Sequence, residues 1–112
     1  MSGAAFFAMS AAGEPFSVSV PPFASASTGS STVTETVQAT VSGGVGPFTY
    51  GWSIDGDLGV SLVDPTANPV SVRAIGLIQG EPNFAMVSVL VNDTGTGGIV
   101  NSGVCSVTFT RV

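Results

Sequence analysis

The chain has 112 residues, 44% hydrophobic and only 8% charged, with two basic residues against seven acidic ones and a net charge of −5; globular chains average about 25% charged residues. There is no lysine and no histidine. Two arginines cannot neutralise the phosphates of a nucleic acid, and histidine-dependent acid-base, nucleophilic and metal chemistry, lysine Schiff bases and a phosphate-loop lysine are all excluded.

The length is that of one domain, and scaling of surface with size lets about 65% of the unfolded surface be buried. The lone cysteine, Cys105, has no internal disulfide partner. Its alternation with Val107 and Phe109 reads as a small buried hydrophobe.

Residues 1–15 begin MSGAAFFAMSAAG. A secretory signal needs a basic start, yet the first basic residue is Arg73. A membrane span needs about 20 apolar residues, and no such run exists. The expectation is a chain made in a host cytoplasm without a signal peptide. Residues 1–15 would form an apolar arm whose Phe6, Phe7 and Met9 contact a neighbour; the alternatives are a start that packs nowhere and a cleaved signal.

Residues 16–112 carry a strand pattern throughout. Phe16, Val18 and Val20 alternate with serines and stop at Pro21-Pro22, because proline donates nothing to a ladder. Phe23 to Ser31 is rich in small residues and reads as a loop or a short irregular edge. From Val33 to Val41 the odd positions Val33, Val37, Ala39 and Val41 share a face that Glu35 interrupts, predicting a single half-buried strand. After a turn over 42–47, Phe48, Tyr50, Trp52 and Ile54 make the strongest inward face.

Asp55 to Gly59 reads as a turn, Val60 and Leu62 as a short strand, and Val70, Val72 and Ala74 as another, with Arg73 pointing outward. Phe84 to Val91 is apolar on both faces, Val87, Val89 and Val91 on one and Met86 and Leu90 on the other. It is expected to be central and covered on both sides. A long hairpin loop over 92–103, with or without a short arm of its own at Ile99 and Val100, precedes a last strand over 104–112 with Val107 and Phe109 inward. About seven short strands at such spacing predict an all-β antiparallel sandwich.

VQATVSGGVGPFTYGWSIDGD, residues 37–57, resembles the B strand, glycine-rich turn and tryptophan-bearing C strand of PKD-like and bacterial immunoglobulin-like domains. FAMVSVLVNDTGTGG, residues 84–98, resembles their F strand and F–G turn. The resemblance implies an immunoglobulin-like sandwich with Trp52 in its core. The chain departs from the group in lacking the antibody-type cysteine pair and the corner tyrosine. It has Trp-Ser-Ile-Asp-Gly-Asp where PKD domains carry a Trp-x-Phe-Gly-Asp-Gly-like turn.

Several side chains invite chemical readings. Asp55, Asp57 and Asp64 suggest calcium ligands, but Asp-Gly is also a common tight-turn pair. Glu35, Asp55, Asp57, Glu81 and Asp93 are carboxylates that a glycosidase would pair, without the aromatic cleft it needs. Tyr50 and Trp52 could stack on a sugar, although their phase places them in the core. Asn92-Asp93-Thr94 matches a glycosylation sequon in form only.

No catalytic, cofactor or metal residue is therefore assigned. With so few charges, the outer faces must be serine, threonine, glycine and alanine, a surface that invites covering. The expected function is a non-enzymatic assembly protein docking through sheet edges and the arm on protein partners, as a homo-oligomer or on a particle, without nucleic acid or membrane. Stand-alone modules of this kind resemble bacteriophage capsid decoration or tail proteins, which implies a place in a virion. The alternative is a cell-surface or secreted PKD-like adhesion or carbohydrate-binding module, with its loops at 42–47 and 92–103 as the binding end.

Overall fold

The computed structural model describes residues 16–112, so the arm and its Phe6, Phe7 and Met9 lie outside the described residues. Ten strands are present among them: β1 Ser17–Ser19, β2 Phe23–Thr28, β3 Val33–Val37, β4 Thr40–Ser42, β5 Phe48–Gly56, β6 Val60–Leu62, β7 Val70–Ala74, β8 Asn83–Asp93, β9 Gly98–Asn101 and β10 Cys105–Arg111. They form an all-β sandwich. The larger sheet runs β2-β10-β8-β5, with β9 also pairing β8; the facing side has β3-β7-β6 and the small pair β1-β4. Every pairing is antiparallel except β2 with β10, which is parallel.

The core lies where the inward rows meet. Val87, Val89 and Val91 of β8 and Cys105, Val107 and Phe109 of β10 face Val37, Val70, Val72 and Ala74 of the opposite sheet, all buried. β5 sets Trp52 among them, but Phe48, Tyr50 and Ile54 on the same face are only half-buried. The reason is position: β5 is the margin of its sheet, paired on one side by β8 alone. Of its inward row, the central tryptophan is the most completely enclosed.

The structure decides one open reading and corrects four sequence expectations. Of the two readings of Phe23 to Ser31 the edge is the one present, and it is regular: β2 occupies Phe23–Thr28 at the margin of its sheet, with Ala24, Ala26 and Thr28 inward and Phe23, Ser25 and Ser27 outward. Small inward residues let this strand lie close to its neighbours without a strong hydrophobic signature. The strand expected over 33–41 is two strands in two sheets, β3 pairing β7 and β4 pairing β1. At the break, Asn68 substitutes for a strand: its Oδ1 accepts the Ala39 N–H at 2.9 Å and its Nδ2 donates to the Ala39 carbonyl at 3.1 Å.

Asp55 and Gly56 belong to β5, not to a turn. Gly56 sits so close to β8 that a Cβ there would lie 2.7 Å from that of Ala85, so the strand continues only because the side chain is missing. The 92–103 segment is mostly ladder rather than loop: β8 reaches Asp93, the turn takes residues 94–97, and the arm at Ile99 and Val100 is β9, paired with β8. Ser102, between β9 and β10, is tied to β8, its Oγ accepting the Val89 N–H and its own N–H donating to the Val89 carbonyl. Lastly, β8 is covered on one face alone, with Phe84, Met86 and Leu90 open.

Candidate interaction surface

The open face of β8 is the outstanding surface feature among the described residues. Phe84 is 51% exposed, Met86 58% and Leu90 42%. Cross-strand register places their neighbours. Phe84 lies opposite Thr108, Met86 opposite Ser106 and Asp55, and Leu90 opposite Gly51 and Asn101. Phe23, 78% exposed, is beside Ser106 and so one strand further along the Met86 row. The surface is an apolar rib along β8, with Phe23, Ile99 and Val104 also exposed beside it and serine, threonine, glycine, Asp55 and Asn101 between them.

Between Met86 and Leu90 the rib dips at Ser88. A groove of about 260 Å³ opens there, lined by Ser53, Ile54, Asp55, Met86, Ser88 and Val104. Asp55 supplies its single charge. Because Ser53 and Ser88 pair directly across the ladder, the floor is built from two short side chains while Met86 and Val104 form the walls.

The carboxylates do other work. Asp57 Oδ2 accepts the Phe84 N–H at 2.8 Å, closing the β5–β6 turn onto β8. Asp64 accepts both the N–H and the hydroxyl of Thr66. These two bonds, backbone first, hold its carboxyl below the ordinary value. Among the described residues no three acidic or thiol groups gather as metal ligands. Asp55, Asp57 and Asp64, grouped by sequence, are used separately.

Asp93, which the sequence offers only as one carboxylate among five and as part of a sequon, is buried. Its Oδ2 accepts the Val45 N–H at 2.9 Å; its Oδ1 accepts those of Gly46 at 2.9 Å and Gly95 at 3.0 Å. Burial opposes the ionised form, but these three donors and the Thr96 side chain outweigh it and keep the carboxyl below its ordinary value. The signal for it was legible in form: an acid between a strand and a glycine turn, with a second glycine-rich turn at 43–46. Gly44 has a φ of +77°, and a Cβ on it would come within 2.8 Å of Asp93 Oδ2. The two loops are thereby fastened side by side.

The stacking platform fails on geometry. Trp52 is buried, its indole N–H donating to the Ala67 carbonyl at 2.6 Å while its backbone N–H donates to Pro65. Tyr50 is half-buried on the same inward face. Cys105 is buried, and desolvation first, then the nearby Glu35, pushes its thiol above the ordinary value. Such a thiol is unreactive. Arg73 is exposed on β7 between Thr34 and Ser61.

No protein-family model and no curated protein matches the sequence. Among solved structures, the chain is similar to a nucleoside hydrolase-related hypothetical protein from Saccharophagus degradans that is associated with carbohydrate metabolism. Identity is 20% and the TM-score 0.51, over 80% of this chain and 22% of that one. This chain thus spans about a fifth of that protein. At such identity the likeness speaks to the fold alone.

Proposed function

We propose that the chain is an immunoglobulin-like sandwich serving as a non-enzymatic assembly domain on a multimeric particle, with a bacteriophage capsid or tail as the setting. The strand order supports the immunoglobulin-like part. With β1 as A, β3 and β4 as B, and β6 and β7 as D and E, one side reads A-B-E-D; β10, β8 and β5 read G-F-C on the other.

The observation that carries the assembly reading is the open rib of Phe84, Met86 and Leu90 with Phe23 beside it. An exposed apolar patch on a chain with so few charges marks a surface that is covered in use. The test is sedimentation of the purified chain, alone and with phage shells or tail tubes. Oligomers or co-sedimentation are expected; a chain that stays monomeric and binds neither overturns the reading.

One observation favours the adhesion alternative: the 43–47 and 94–97 loops meet at one end of the sandwich, joined through Asp93. A glycan array separates the two readings, since specific glycan binding lost on substituting these loops belongs to the alternative alone.

A further inference from the structure

We propose that the free edge of β2 pairs with the β2 edge of a second copy of this chain, antiparallel and about a two-fold axis at Ser25, joining the two larger sheets into one. The inference rests on the assembly reading and names one of its contacts.

Hydrogen bonding defines the edge. Successive residues of a strand turn their N–H and C=O to opposite sides. The Ser106 N–H donates to the Pro22 carbonyl at 2.9 Å and the Val112 N–H to the Thr28 carbonyl at 2.8 Å, so the even-numbered residues of β2 face β10. Phe23, Ser25 and Ser27 therefore turn both backbone groups away from β10, and no group among the described residues bonds to them. The opposite margin differs. Beside β5 the Pro65 carbonyl takes the Trp52 N–H at 2.8 Å, so a segment of the chain already occupies that edge.

The devices that blunt an open edge are charge, proline within the strand and a bulge. β2 reads FASAST and runs through six one-to-one pairs with β10, without any of the three. From Phe16 to Thr34 the chain carries no charged residue. On a molecule of net charge −5, this margin lets two copies meet without opposing acids.

A second copy fits this edge better than an unrelated strand. With the axis at Ser25, Phe23 lies opposite the partner's Ser27 and Ser25 opposite its own equivalent. Residues directly opposed in a hydrogen-bonded antiparallel pair exchange both bonds, so every outward N–H and C=O of both strands is used. Moving the axis by one residue puts Phe23 or Ser27 opposite a residue outside the strand. Ala24 and Ala26 are half-buried at the rim of the core; in this register each comes opposite the other across the new pair, and the rim closes. Both strands are already ordered by β10, whereas a free peptide loses conformational entropy on becoming a strand.

The experiment uses the full chain carrying Ser25→Cys. Directly opposed Cα atoms of a hydrogen-bonded pair lie about 5.5 Å apart, within disulfide range, and the native Cys105 is buried. Mild oxidation should give a covalent dimer. Ser27→Cys should not, because its two copies stand roughly 13 Å apart along the strands. Ser25→Pro removes an N–H that β10 does not use, and Ser25→Lys sets like charges opposite each other. Each should weaken association by roughly tenfold or more. In dilute solution Ser25→Lys should melt with the parent, and it decides the matter if the proline variant unfolds. Amide exchange at Phe23, Ser25 and Ser27 should slow as concentration rises. Equal dimer yields from Ser25→Cys and Ser27→Cys, or association indifferent to Ser25→Lys, overturn the proposal. So does protection of these amides that is independent of concentration, which would assign the edge to the chain's own residues 1–15. In each case the assembly reading survives if the unmodified chain still associates or co-sediments with shells or tubes, and it fails only if the chain does neither.

Discussion

Asp93 shows how one residue holds two loops. Two oxygens take three backbone N–H groups from segments nearly fifty residues apart. Replacing Asp93 by Asn would set an amide donor against at least one of those N–H groups, and the variant should melt below the parent. The acid dependence follows from the direction of its shift. A folded value below the ordinary 3.8 gives stability that is fully present above that value and is lost as pH falls through the lower folded one. Thermal melts from neutral to strongly acid pH should show this loss in the parent and a flatter profile in Asp93→Asn. Asp64 contributes a shift of the same sign, so some acid sensitivity remains in the variant.

Trp52 works differently. Its indole ties the 64–69 segment to β5 through Ala67, so Trp52→Phe should cost about 1–3 kcal/mol, from the lost hydrogen bond and the smaller ring. Chemical denaturation measures this.

At the scale of strands, inward alternation was readable wherever large β-branched or aromatic residues recur at every second position. β7, the inner row of β8, and β10 follow it closely. β2 was readable only as one of two options, loop or irregular edge, because its inward residues are Ala, Ala and Thr and its stabilising partner, β10, lies more than eighty residues away. The break between β3 and β4 was equally hidden. Val37, Ala39 and Val41 keep the correct phase, and what divides the strand is the amide of Asn68, a contact that spacing along the chain does not encode.

The open rib illustrates a different limit. Phe84, Met86 and Leu90 look the same in sequence whether a sheet, a segment or water lies over them. Two substitutions on the larger sheet separate its faces. Phe109→Ala, fully buried on β10, should cost about 3–5 kcal/mol. Phe84→Ser on β8 should stay within about 0.5 kcal/mol. Denaturant titrations of the pair test whether the outer face contributes to folding at all. Asn68→Ala should cost about 1–3 kcal/mol, with faster amide exchange at Ala39 as its local signature.

For the whole molecule, sparse charge sets how copies meet. Repulsion between molecules of net charge −5 is long-ranged, while contact through an apolar rib is short-ranged. Raising salt from about 0.1 M to about 1 M shortens the screening length from about 10 Å to about 3 Å. Self-association should therefore strengthen with salt. Sedimentation equilibrium over that range checks it, and weakening with salt would point to an interface built on ion pairs.

The parallel alignment of β2 with β10 has a mechanical meaning. Six registered pairs, from Phe23 beside Ser106 to Thr28 beside Arg111, run in the same direction. The chain therefore leads into β2 at one end of the pair and leaves β10 at the other. Tension applied through those ends slides the two strands past one another and strains the whole ladder together, where an antiparallel hairpin pulled from its open end would unzip bond by bond. A domain wired in this way resists stretching along its length. Single-molecule pulling should give a high rupture force that falls when Ala26→Pro removes one ladder donor from the middle of β2.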